Sequence, residues 1–231
     1  MQLIGLAAWG YAAVCAIWGV RTGQIREKTV RFAALALLVG SMSVTCTLVF
    51  ISGLDPLRTI LPLHLCSASA VLCLFFYIKP ARSVFHWLYY VGLPGAALAL
   101  CFPAVAVSRY QNAMDACFFL THALVVFAPM LHIACGERPD HRAAMPCYIC
   151  LLLFAAVTYT INRLIDANYL FLMAPPSGTP LTLLWQMGEG AYYASLATLA
   201  LCIVLAQRKI AAYLERRNNK KAPFIQGSLK K

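Results

Sequence analysis

Apolar residues in this chain arrive in blocks of membrane-crossing length, and that limits its folds more than any other feature. Seven stretches, at about residues 2–20, 32–52, 62–78, 83–102, 114–135, 144–163 and 183–206, carry almost no charge. Each is close to the roughly 17–25 apolar residues that a bilayer helix needs. Lipid cannot hydrogen-bond an open backbone, so the blocks must be helices or a closed barrel. The alternating segments of about ten residues that build a barrel are absent. Charged residues make up 12% of the chain, against about a quarter in a soluble domain. The expected fold is therefore all-α: a polytopic transmembrane bundle of seven spans over residues 1–215. A basic tail over residues 216–231, expected to be disordered, follows it.

The basic residues orient the bundle. Of nineteen Lys and Arg, all but Arg58, Arg109 and Arg163 follow spans one, three and five or lie in the tail. Cytoplasmic loops hold the excess of positive charge, which predicts an outside N-terminus, a cytoplasmic C-terminus and a multi-pass protein of the plasma membrane. The first span has its charge after it, at Arg21, where a cleaved signal peptide would have it before. It is read as a retained helix. Membrane lipids are the expected partners, and the run RKIAAYLERRNNKK can meet anionic headgroups. Nucleic-acid binding is excluded, because no soluble domain presents the charge.

Most of the ten cysteines fall inside the apolar blocks, where free cysteine behaves as a small hydrophobe. Cys147 and Cys150 form a C-x-x-C without the second pair that a structural zinc site wants. No metal and no cofactor is expected. Pro94, beside Gly92 and Gly95, predicts a kink or a close helix contact in span four, and Pro129 predicts an interruption in span five. The connection 164–182 holds Pro175, Pro176, Gly178 and Pro180 yet is apolar around NYLFLM. It is expected to fold back on the bundle as a lid or an interfacial connector.

Ionisable residues inside spans mark functional sites by default. Placed by depth, His64, Cys66, Ser67 and Ser69 lie in the outer half of span three. Asp115 lies at the rim of span five, with His122 about 12 Å below the rim at 1.5 Å per residue. Asn162 and Arg163 end span six, and Glu189 sits in the first turns of span seven, where pairing with Arg163 is one option. His86 and His132 are expected at the cytoplasmic interface. A thiol becomes a nucleophile beside a base. His122 is the candidate base for Cys66, oriented by Asp115 or Glu189. His64 points about 200° away from Cys66 on a regular helix, which suits substrate binding or helix positioning.

LPLHLCSAS at 61–69, FFLTHALVVFAPML at 118–131 and INRLIDANYLFLMAPP at 161–176 resemble, in order, segments of the YwaF-like bacterial integral membrane proteins. The likeness covers most of spans two to seven. Where that family usually has a W-P-x-Y-like element, this chain reads GEGAYYAS at 188–195. The family is similar to a eukaryotic multi-span acyltransferase of ether phospholipids that uses a Cys and a His. By that resemblance the two roles fall on Cys66 and His122. His64, Asp115, Asn162, Arg163, Asn168, Tyr169 and Glu189 are the supporting or substrate-binding candidates, with Arg163 and Asn168 set against a phosphate head. The expected function is a lipid-modifying acyltransferase or lipid hydrolase working in an outward-facing intramembrane pocket. The alternative is a non-catalytic lipid or small-solute binder, transporter or membrane assembly factor.

Overall fold

A computed structural model describes residues 2–228 other than 104, 106, 177, 178 and 180, with side chains from 9 to 216. Among the described residues every regular element is helical. Seven longer helices are labelled here α1 (Gln2–Arg21), α2 (Glu27–Ile51), α3 (Leu65–Ile78), α4 (Arg82–Cys101), α5 (Gln111–Ala134), α6 (Ala144–Ile165) and α7 (Glu189–Ser228). Short helical turns at Pro56–Thr59, His141–Ala143, Tyr169–Phe171 and Leu181–Gln186 stand between them.

Five of the seven, α2, α4, α5, α6 and α7, contain stretches long and apolar enough to cross a membrane. Their outer faces remain apolar. In α6 only 17% of the most apolar stretch is buried within the protein, and in α7 only 11%. Val157 and Leu153 of α6, like Phe32 and Phe50 of α2, are more than half exposed. Faces of that size and chemistry call for a lipid surround. This is a membrane protein.

α5 is the central rod. It packs against α1, α2, α3 and α4. Ala34, Leu38, Ala70, Cys73, Phe76, Phe85, Ala96, Leu124, Val125 and Ala128 form the shared core. Small residues bring the helices close. A Cβ on Gly95 would stand 2.8 Å from Leu65 Cδ2, and one on Gly92 would stand 3.1 Å from Ser69 Oγ. The close contact expected at Gly92, Pro94 and Gly95 is therefore between α4 and α3. Polar ties sit inside: Ser41 donates to the Cys117 carbonyl at 3.0 Å, and the Tyr77 hydroxyl donates to the Leu124 carbonyl at 2.7 Å. α7 packs on α6 and on the Leu181–Gln186 turn.

Three expectations change. Span three begins at Leu65, not at 62, because residues 61–64 form an irregular turn and His64 is an extended N-cap (φ −75°, ψ 147°). At 14 residues α3 is about 21 Å long, short of the roughly 30 Å apolar core. Span seven is divided: Gly188 (φ 103°) separates Leu181–Gln186 from α7, so Glu189 opens a helix instead of lying within one. Pro129 lies inside an unbroken α5. The backbone of α7 is helical to Ser228; the side chains beyond Arg216 and residues 229–231 lie outside the described residues.

Candidate functional site

His122 faces inward from the middle of α5 and is 4% exposed. Its Nδ1 lies 2.6 Å from the Phe118 carbonyl, one turn back. A carbonyl only accepts, so Nδ1 carries the ring proton and Nε2 presents a bare lone pair. That Nε2 is buried and makes no hydrogen bond. The orienting role expected of Asp115 or Glu189 thus falls to a backbone carbonyl. Asp115 accepts from Gln111 Nε2 at 2.8 Å, and Gln111 Oε1 accepts the Ser108 amide at 3.0 Å, which places Asp115 in the network at the start of α5. Glu189 is exposed at the start of α7 and forms no ion pair with Arg163.

Cys66 is the second residue of α3, half-buried, with Ser67 donors beside its sulfur. α3 and α5 pack together, which puts Cys66 and His122 on neighbouring helices. No hydrogen bond joins the two side chains, since His122 Nδ1 is held by Phe118 and Nε2 has no partner.

His64 sits differently from its expectation. The irregular turn at 61–64 frees it from a helical direction. Its Nδ1 accepts the Leu170 amide at 3.3 Å, and its ring meets Tyr169 (centroids 4.9 Å) and Phe171 (5.6 Å). His64 and His122 lie within range of each other's charge.

The 164–182 connection does fold back on the bundle. Asn162, 1% exposed, donates from Nδ2 to the Tyr169 carbonyl at 2.8 Å, and its Oδ1 accepts the Tyr169 amide at 2.9 Å. Tyr169, itself 1% exposed, donates its hydroxyl to the Leu57 carbonyl at 2.9 Å. Burial pushes that phenol above its usual range, so it stays a donor. Tyr192 and Tyr193 of α7 donate to the carbonyls of Phe171 and Leu172. Asn168 accepts the Met173 and Ala174 amides and donates to the Ala174 carbonyl. Its Oδ1 and one Nδ2 hydrogen serve the loop. Leu170 (φ 57°) and Phe171 (φ 55°) are left-handed, a conformation that costs a non-glycine residue about 1–3 kcal/mol.

A cavity of about 550 Å³ is bordered by Arg58, Asn162, Arg163, Asn168, Glu189 and Tyr193 among others. Arg58 pairs with Asp55 at 3.3 Å and Asp166 at 3.2 Å. Among the described residues Arg163 forms no ion pair. Of the expected residues, the fold gathers Asn162, Arg163, Asn168 and Glu189 here; His64 lies against Tyr169 and Phe171, and neither Cys66 nor His122 is on the cavity border. Asp115 is not on the cavity border. Arg58 was missed, although it is one of three basic residues on the sparsely charged side. Phe118 and Leu170 act through backbone groups that no side-chain pattern announces.

At the C-terminal end of α5, His132 is buried against Phe76 (4.5 Å) and lies 3.8 Å from Glu27. His86 is partly buried and accepts the Asp140 amide at 3.4 Å.

A protein of Treponema pallidum (strain Nichols), named only as uncharacterized, is 33% identical over 153 residues; the match covers 64% of this chain and 60% of that relative. No solved structure matches. The family model that matches is the TMEM164 family, over residues 2–207, and it replaces the YwaF-like assignment. With nearly the whole bundle inside that match, the chain belongs to the TMEM164 family.

Proposed function

We propose that this protein moves acyl groups between lipids, with Cys66 as nucleophile and His122 as base. The observation that carries the reading is the His122 ring: its proton is fixed on Nδ1 by Phe118, and its bare Nε2 is buried without a partner. A buried nitrogen left unpaired is costly and rare, and this one is set up to take a proton. Cys66 lies in the first turn of α3 with Ser67 donors beside its sulfur, and so needs a base to take its proton.

The steps balance. The Cys66 proton passes to His122 Nε2 and the sulfur attacks an ester carbonyl. The ester C–O bond breaks, and the leaving oxygen takes the proton from His122, releasing a lysolipid. A hydroxyl then attacks the thioester, gives its proton to His122, and the C–S bond breaks. The sulfur recovers that proton.

The 550 Å³ cavity is the entry for a polar head, with Arg163 its free cation. The strained Tyr169–Phe171 segment, packed against His64, is the lid. This reading carries the sevenfold crossing, with an outside N-terminus and a cytoplasmic tail near anionic headgroups, in a plasma membrane. Residues 56–64 complete the short crossing of α3. The competing reading, a lipid binder without chemistry, draws support from a cavity whose border includes neither Cys66 nor His122.

The test is lipid turnover by the reconstituted protein. Cys66→Ala and His122→Ala are each expected to abolish it. Activity in the parent that survives both substitutions, or no activity in the parent toward any ester lipid, counts for the binder.

A further inference from the structure

At the other end of α6 from the cavity, three groups able to ligate a metal meet. Asp140 and His141 lead into α6, and Glu215 lies 74 residues beyond His141, in α7. A carboxylate oxygen of Asp140, a carboxylate oxygen of Glu215 and a ring nitrogen of His141 all lie within 4.8 Å of one another. His141 Nδ1 stands 2.7 Å from Glu215 Oε2 and 3.8 Å from Asp140 Oδ1. Ligands about 2.1 Å from a tetrahedral zinc ion stand about 3.4 Å apart. The two separations fall on either side of that value, so small side-chain shifts seat an ion among the three.

The surroundings hold these groups in place. The Asp140 carbonyl accepts the Tyr90 hydroxyl at 2.9 Å, and its amide donates to His86 Nε2 at 3.4 Å. Its Oδ1 accepts the Arg142 amide at 2.8 Å, which caps the short turn before α6. Glu215 Oε1 accepts the His141 amide at 3.1 Å. Asp140 is thus fixed to α4 and His141 to α7. All three side chains are partly exposed, so an ion can enter and keep water as its remaining ligand.

The donor set selects the ion. Calcium and magnesium take oxygen ligands, whereas an imidazole beside two carboxylates suits zinc and its neighbours. The two carboxylates offset the two charges of the ion. We propose that Asp140, His141 and Glu215 bind one divalent transition-metal ion of the zinc class, which clamps the connection before α6 to the far part of α7. The proposal is independent of the acyl-transfer reading. A carboxylate only accepts, so the neutral His141 ring carries its proton on Nδ1 when it meets Glu215. On binding, that proton moves to Nε2 and Nδ1 takes the metal.

The experiment uses the full chain in nanodiscs, stripped with a chelator. Zinc chloride is the probe and magnesium chloride the control. Calorimetry is expected to give one zinc bound per chain, and Tm is expected to rise with zinc and not with magnesium. X-ray absorption at the zinc edge is expected to show nitrogen and oxygen ligands without sulfur, which separates this site from Cys147 and Cys150. Three variants follow: His141→Ala, Glu215→Gln, which keeps the side-chain shape, and Asp140→Asn, which keeps a turn cap. Each should weaken zinc binding more than about tenfold. No saturable zinc binding in the parent, sulfur bound to the ion, or an affinity unchanged in Glu215→Gln and Asp140→Asn overturns the proposal and leaves a His141–Glu215 hydrogen bond alone. If His141→Ala fails to fold, the parent spectrum and the two conservative variants still decide.

Discussion

At the scale of single residues, Asn162 does the most for the site without touching the chemistry. Both ends of its buried amide hold the Tyr169 backbone, and Tyr169 in turn packs against His64. Asn162→Ala leaves a buried amide and carbonyl unpaired, at about 1–3 kcal/mol each. The expected result is a Tm lower by several degrees in detergent, with the thermal shift measured beside Asn168→Ala. The half-exposed Asn168 can exchange its bonds with water, so its loss is expected to be the smaller. Cys66, His122, Asn162 and Arg163 were legible because a polar residue in an apolar block stands out. Their partners were not. His122 is held by the carbonyl of Phe118, and a backbone oxygen is present at every position, so no sequence pattern marks the one that is used.

Among the elements, α4 shows how a proline rearranges a helix. Pro94 has no N–H for the Tyr90 carbonyl, and its ring crowds that turn. The helix responds with a π turn at Leu88–Gly92, in which the Leu93 amide donates to Leu88 instead of Tyr89. The Tyr89 carbonyl is released, and Gln207 of α7 donates to it at 2.7 Å in a buried setting. Gln207→Leu removes that donor and is expected to lower Tm by a few degrees, for about 1 kcal/mol. Gln207→Glu sets a carboxylate against the carbonyl and is expected to lower it further. A Tm for the Glu variant equal to the parent's contradicts this account of the turn. Pro94 made an irregularity legible at its position. The partner on α7 was not, because Gln207 is 113 residues away from Pro94 along the chain and reads there as the polar end of a span.

For the whole molecule, the apolar blocks were legible as seven rods, since hydropathy reports the solvent that a helix faces. What they left out was the meeting of the connections. The turn at 61–64 and the left-handed Leu170 and Phe171 lie in irregular backbone, where apolar periodicity carries no information, and they bring His64 under the 164–182 segment. The topology is tested by single cysteines in a chain cleared of its own. Cysteines at Arg58 and Arg163 should react with an impermeant maleimide from outside intact cells, and those at Arg138 and Arg208 only after lysis. Equal labelling of both sets contradicts the crossing count. The central claim is that Cys66 carries the acyl group between lipids, with His122 moving the proton. Intact-protein mass spectrometry after incubation with an ester lipid tests it most directly. The account predicts one acyl mass, mapped to Cys66, that accumulates without a lysolipid acceptor, falls when one is added, and is absent from His122→Ala. An adduct that maps to another cysteine, or one that forms equally in His122→Ala, contradicts it.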